Sequence, residues 1–210
     1  MTIESSSVLP ESIAGLLRAS IVSQQDAPGS AITESAVALR FGVARPTARI
    51  AIERLVAEGI LRREPHHAAR VPELSRDDIV DLYDNRSIVE SAAIGALRSI
   101  PAAALEAHRA ILADDDFAEH DILFHRALVA AQPSPRLRRM HELLMGEIEL
   151  CIGQVQAAQL LTAAEVSRQH QGILDAITSG DSATAAALTR AHIARARDAL
   201  LAHVDRTTDG

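Results

Sequence analysis

The sequence predicts a mostly α-helical protein in two parts, an N-terminal winged helix-turn-helix followed by an all-helical antiparallel bundle. Three observations carry this expectation. Hydrophobic residues make up 48% of the 210-residue chain but aromatics only 2%. Aliphatic side chains must therefore build the core, which favours helices over sandwiches and barrels. From residue 76 to 206 apolar residues recur at helical spacing with only short breaks. Ahead of them, three short helical patterns are followed by two β-like runs around a turn.

The elements follow in order. "ESIAGLLRASIVSQQ" places Ile13, Leu16, Leu17 and Ile21 on one helical face, and "APGS" breaks the chain. "ITESAVALRFG" reads as a short helix with Thr33 as N-cap and Gly42 as the stop. "VARPTARIAIERLVAEG" gives a third helix, with Ala48, Ile52, Leu55 and Val56 inward and Gly59 at its end. "ILRREPHHAARV" reads as two short strands around a turn, and "PEL" closes the module. The expected domains are 8–72 and 76–206. Ser75 is placed to cap the first helix of the second domain, with helices expected near 76–98, 102–113, 115–131, 135–159, 163–179 and 182–204. Pro101, "QPSP" and "SGD" mark three of the breaks, and short connections argue for antiparallel neighbours.

Charge separates the two parts. The net charge is −7, and every basic residue is an arginine. Residues 31–71 carry a net +3, which leaves −10 for the remainder. A basic module on an acidic body points to a polyanion partner for the first part alone. Arg45 and Arg49 stand four apart near the start of the third helix, so they project from one face. A recognition helix needs this arrangement to reach phosphates and base edges in a major groove. Cys151 is the single cysteine, so no intrachain disulfide is expected. "MTIESSSVLPE" shows neither a basic nor a long apolar stretch, and no run is long enough to span a bilayer. A soluble cytoplasmic protein without membrane contact is the expectation.

Polar residues interrupt the apolar stripes of the second part. Arg86 falls in the stripe Ile79, Leu82, Arg86, Val89, Ala93, Leu97. Asp121 lies with Phe117, Phe124 and Leu128, and His125 stands beside them. His170 falls among Val166, Ile173 and Ile177, and His192 between Leu188 and Ala199. Buried polar groups need partners, water or a metal. Three imidazoles and one carboxylate facing inward from three helices suit a first-row divalent ion (Zn, Ni or Mn) better than Ca or Mg. A hydrogen-bonded core pair is the other reading of Asp121 and His125.

Residues 8–71 resemble the DNA-binding domain of GntR-family transcription regulators, most specifically through "FGVARPTARIAIERLVAEGIL". The resemblance implies DNA contacts by Arg45 and Arg49, by Arg40 on the preceding helix, by Thr47, and by His67 at the wing tip. Some positions depart from the family pattern. Ala44 replaces a serine, Pro46 and Thr47 exchange places, Ile50 replaces a glutamate, and Ala68 replaces a wing glycine. Residues 76–206 resemble the FCD ligand-binding domain of the FadR-like branch, through "LYDNRSIVESAA", "DILFHRALVAAQPSPRL" and "RQHQGILDAITSGDSATAAALTRAHI". That resemblance implies metal ligation by Asp121, His125, His170 and His192. Ser134 stands where the family has an asparagine in the polar lining. The remaining histidines (66, 67, 108, 120, 141 and 203) match no ligand position and read mostly as surface residues, whereas Cys151 reads as core.

The reading is a transcription regulator that binds an operator in double-stranded DNA as a homodimer, since one winged helix covers only a half-site. A small carboxylate effector bound at the metal would pair with Arg86, unless Glu90, four residues on, is that arginine's permanent partner. Two alternatives stay open at this level. One is a metal-dependent hydrolase, in which an ion with an open position activates water. The other is a sensor of the ion itself.

Overall fold

The computed structural model describes residues 10–113 and 117–208. Residues 8 and 9 of the expected first domain, and 115 and 116 of an expected helix, lie outside this range. The chain divides into two compact units, Met1–Glu73 and Leu74–Gly210.

In the first unit, helix α1 (Pro10–Val22) packs on α3 (Arg45–Ala57), which also packs on α2 (Glu34–Phe41). The periodicity of α1 buries Ile13, Ala14, Leu17 and Ile21, but Leu16 is 55% exposed because it lies off the stripe. On α3 the inward face is Ala48, Ala51, Ile52 and Leu55, with Val56 only half-buried. Thr33 caps α2 by accepting from Ala36 N, and Gly42 ends it at φ 64°. That left-handed conformation is one a Cβ penalises, so glycine suits the turn into α3. Ala44 leaves α3 without a side-chain cap, and Pro46 lies in its first turn, where a missing N–H costs little.

The wing differs from the expected hairpin. Strand β1 (Ala31–Ile32) pairs antiparallel with β2 (Ala69–Arg70), with Ala31 opposite Arg70 and Ile32 opposite Ala69. Residues 60–71 themselves contribute one bridge, Arg62 to Arg70, closed by two backbone bonds of 2.9 and 2.8 Å. The second wing strand therefore finds most of its pairing ahead of α2, in a segment too short for alternation to be visible.

The second unit contains α4 (Arg76–Gly95), α5 (Ala102–Ala110), α6 (Phe117–Ala130), α7 (Pro135–Ala157), α8 (Ala163–Thr178) and α9 (Ser182–Thr208). Ser75 and Asp78 form a capping box at the start of α4, as Thr162 and Glu165 do for α8. Helix α4 packs along α9 and also against α7, while α6 is flanked by α5 and α7. Gly95 permits the close approach of α4 to α9, because a Cβ there would stand 3.0 Å from Ala186 Cβ.

The core of this unit is split. One apolar cluster includes Ile79, Leu82, Tyr83, Phe117, Ile122, Ile193 and Leu200. A second includes Ile94, Leu97, Phe124, Leu128, Ile173, Ile177 and Ala185. Between them lie buried polar residues from five helices: Arg86 and Glu90 on α4, Asp121 and His125 on α6, His141 on α7, His170 on α8 and His192 on α9. The bundle carries a polar layer between two apolar ones.

Candidate metal centre and nucleic-acid interface

Asp121 and His125 lie one turn apart on α6, so both side chains leave the same face. His170 arrives from α8 and His192 from α9. One ligand atom from each of the four falls within 4.8 Å of all the others, and all four residues are buried. Asp121 Oδ1 stands 3.1 Å from His170 Nε2, 3.5 Å from His192 Nε2 and 3.8 Å from His125 Nε2. His125 Nε2 is 3.1 Å from His192 Nε2.

The outer nitrogens fix which inner ones carry lone pairs. His192 Nδ1 is 2.8 Å from Gln169 Oε1, and His125 Nδ1 is 2.5 Å from Glu90 Oε2. Gln169 Oε1 can only accept, so His192 Nδ1 bears the proton. Glu90 Oε2 is in ion-pair contact with His125 Nδ1 outside hydrogen-bond angles, and its negative charge favours the proton on that nitrogen. Each Nε2 thus turns a lone pair inward. Two lone pairs facing each other across 3.1 Å repel unless a cation lies between them. Asp121 Oδ1 and His170 Nε2 also lack a hydrogen-bond partner of adequate geometry. Ligands about 2.0–2.1 Å from one ion would stand about 3.0–3.4 Å apart, for right-angled to tetrahedral arrangements. The separations of 3.1 Å from Asp121 to His170 and from His125 to His192 fall in this range, and those of 3.5 and 3.8 Å lie above it. The four groups could close on a metal ion.

Electrostatics point the same way. Burial pushes the His170 imidazole down to about 3, keeping it neutral. Burial also lowers His125, against the raising effect of Glu90. The Asp121 carboxyl is pushed up by burial, but the facing His170 and His192 outweigh this and hold it well below its ordinary value. One anionic and several neutral donors, all water-excluded, form a set that favours a cation. The ring of His170 is held by Phe124, stacked at 3.8 Å and 10°.

Arg86, expected as a cation awaiting an effector, already has a partner. Its Nε donates to Glu90 Oε1 at 2.9 Å, and both side chains are buried. The alternative of a salt bridge to Glu90 is therefore the one observed, while Arg86 Nη2, 3.9 Å from Asp121 Oδ2, keeps no hydrogen-bond partner. His141, read as surface, is 1% exposed, and its Nε2 is 2.9 Å from Glu90 Oε1. Its position on α7 opposite α4 is what buries it, a non-local pairing that the flanking "RRM" and "EL" gave no sign of. His66 and His67 are exposed, whereas His108 is half-buried near Phe124 and His170. On α9 the stripe runs through Ala185, Thr189, His192 and Ala196, whereas Leu188 is 37% exposed. Ser134 caps α7, its Oγ accepting from Leu137 N at 3.3 Å. Cys151 is fully buried, and burial pushes its thiol up to about 12.

In the first unit, Arg45 and Arg49 project from one exposed face of α3, with side chains 69% and 59% exposed. Glu34 at the start of α2 is their counterion: Arg49 donates through Nε at 2.8 Å, and Arg45 Nη2 is 4.0 Å away. The sequence reading missed this carboxylate, although capping by Thr33 fixes it in the first turn. Arg40 donates to Asp26 Oδ2 and Ser20 Oγ at 2.8 and 2.7 Å. Thr47 is half-buried beside these arginines, and His67 is exposed, its ring 3.0 Å from Pro65 O.

A basic helix presented beside a small wing, followed by a separate helical bundle, is the arrangement of a DNA-binding transcription regulator. Residues 9–71 match the model of bacterial regulatory proteins of the gntR family, and residues 81–195 match the FCD domain. The chain belongs to the GntR family of transcription regulators and carries an FCD domain.

Its relatives are of the same kind. It is 27% identical over 177 residues to a "Probable D-xylose utilization operon transcriptional repressor" of Paenarthrobacter nicotinovorans, covering 79% of this chain and 77% of that one. It is 25% identical over 189 residues to an "Uncharacterized HTH-type transcriptional regulator in unstable DNA locus" of Streptomyces ambofaciens, covering 84% and 78%. A GntR transcriptional regulator of Rhodococcus sp. RHA1 shares the fold with a TM-score of 0.77 at 23% identity, over 92% and 97% of the two chains. E. coli McbR/YncC aligns with a TM-score of 0.70 at 19% identity, over 96% and 99%. Among the described residues no helix is long and apolar enough to cross a membrane.

Proposed function

We propose that this regulator senses a small organic acid at a metal ion held by Asp121, His125, His170 and His192, and that occupancy controls operator binding by a cytoplasmic homodimer. The observation that supports this most is the pair of inward lone pairs on His125 and His192, 3.1 Å apart in a water-excluded layer. An ion there (Zn, Ni or Mn by donor type) supplies a Lewis-acidic position for a carboxylate oxygen. With neutral imidazoles, Arg86, Glu90 and Asp121 leave the layer formally one negative charge. A divalent ion reverses that sign, and a monocarboxylate then neutralises the layer. Arg86 Nη2, buried without a partner, is the donor left to meet the acid. Ser134 borders this region in the resemblance to FCD domains, and its hydroxyl stabilises the start of α7.

Operator contact falls to Arg45, Thr47 and Arg49, with Arg40 and His67 reaching flanking phosphates or the minor groove. The likeness to a D-xylose operon repressor supports repression as the direction of control. A hydrolase would need a free base beside the ion. The nearest candidate, Glu90, is hydrogen-bonded through Oε1 to Arg86 and His141, and its Oε2 lies against His125 at 2.5 Å.

The test uses purified full-length protein and the duplex upstream of its own gene. Elemental analysis should find about one divalent ion per chain, sharply reduced in His170→Ala and His192→Ala. Small carboxylic acids should raise the melting temperature and shift DNA affinity only while the ion is present. No ion after purification without chelators, and none after reloading, would return Asp121 and His125 to a core pair. A DNA response to the ion with no acid response would make the ion itself the signal.

A further inference from the structure

Glu90 matched no ligand position in the sequence, yet its carboxylate is the most heavily used group in the buried layer. Oε1 accepts from Arg86 Nε and faces His141 Nε2, both at 2.9 Å, while Oε2 faces His125 Nδ1 at 2.5 Å. It is 0% exposed, out of reach of bulk solvent. Three helices meet at it: α4 carries it, α6 brings His125 and α7 brings His141.

We propose that Glu90 is a positioning residue that holds His125 as the Nδ1–H tautomer, thereby setting metal affinity, while anchoring the arginine that faces the effector. This rests on the metal-centre reading above and deepens it. An imidazole has one proton to place. A carboxylate at Nδ1 draws it there and leaves Nε2 bare towards Asp121 and His192. Gln169 does the same for His192, but through a single bond to a half-buried amide. Glu90 is different because its other oxygen is committed to Arg86, which ties the ligand and the arginine to one rigid group.

The Glu90→Gln variant exploits the chemistry of an amide, which has one accepting oxygen and one donating nitrogen. The oxygen goes to the cationic Arg86, the stronger partner. The NH2 is then turned to His125 Nδ1, which must accept, so the proton moves to Nε2 and that nitrogen is lost as a ligand.

Two readouts on the full-length protein test this. Nitrogen-15 NMR of histidine-labelled, metal-free protein reports the tautomer, with His125→Gln identifying the signal. His125 should read Nδ1–H in the wild type and Nε2–H in Glu90→Gln. Competition of Zn2+ with a chromophoric chelator reports affinity, which should fall about 10–100-fold in Glu90→Gln. If the buried Arg86 prevents that variant from folding, the double variant Arg86→Met, Glu90→Met removes the unpaired charge together with any acceptor at His125 Nδ1. It should lose the Nδ1–H preference and show the same fall in Zn2+ affinity. An unchanged tautomer, or Zn2+ affinity within threefold of wild type, overturns the role given to Glu90. Wild type that binds no Zn2+ overturns the metal reading instead, and the metal-free tautomer still decides for or against Glu90.

Discussion

Arg86–Glu90 in the helical unit and Arg49–Glu34 in the winged unit are the same chemical pair in opposite surroundings. Both arginines donate through Nε to a glutamate oxygen, at 2.9 and 2.8 Å. The first pair is 1% and 0% exposed, the second 59% and 22%. In the dry pair the other groups within reach are fixed in the same buried layer (His125 and His141 for Glu90, Asp121 for Arg86). Bulk water is not among them, so neither charge can be exchanged for a ligand from solvent. In the wet pair water can replace either member, so the pair can be exchanged for a phosphate. The sensing role proposed for the core needs the first property, and the DNA-reading role proposed for α3 needs the second.

The largest effect should come from breaking the dry pair. Glu90→Ala takes away the one carboxylate hydrogen-bonded to Arg86, leaving only Asp121 at 3.9 Å. It costs roughly 3–5 kcal/mol, the scale for breaking a buried ion pair. Urea unfolding measures it. A loss below about 1 kcal/mol would show that water reaches the layer, and the contrast between the two pairs would fail. Breaking the wet pair from the glutamate side should leave the urea midpoint where it is.

Next in size is the DNA face itself. The Arg45→Ala, Arg49→Ala double variant should bind the operator roughly 100-fold more weakly, with a shallower dependence on salt, since fewer counterions are released. Its unfolding midpoint should not move, because both side chains are largely exposed. Unchanged affinity by fluorescence anisotropy would remove α3 from the recognition role.

How far the sequence revealed all this differs between the two units. Helical period showed which residues face inward: Arg86, Asp121, His125, His170 and His192 were all placed on buried stripes, and all are buried. Period cannot show which partner each meets. His141 passed for a surface residue because its burial depends on Glu90 across the α4–α7 contact. Glu90 itself looked like a neighbour of Arg86 and not the hub of three donors. The wing was harder still, since β1 and β2 are two residues each and their pairing joins segments almost forty residues apart. Caps, being local, were readable, as Thr33 and Ser75 show.

A smaller effect sharpens the exchange argument. Glu34 is an anion in the middle of the surface proposed to meet phosphates, and its grip on Arg49 holds its carboxyl below the usual range. Glu34→Gln removes that competitor, so affinity for a random-sequence duplex should rise about fivefold, with a steeper salt dependence. A fall in affinity would mean that Glu34 aims Arg49 and does not compete with DNA for it.

The smallest expected change is a gain. Ala44 occupies the N-cap of α3 with φ −68° and ψ 147°, the extended backbone of a capping residue, yet it has no side chain to cap with. Pro46 offers no N–H, so the Thr47 N–H at the third helical position is the donor a hydroxyl there would satisfy. Ala44→Ser should therefore stabilise the winged unit by about 0.5–1 kcal/mol, read from the urea midpoint. The same hydroxyl would lie beside Arg45 at the start of the helix proposed to face DNA, where an added donor should strengthen phosphate contact. Stability and operator affinity should then rise together. A gain in stability with no gain in affinity would separate the cap from the DNA surface and place the phosphate beyond reach of residue 44.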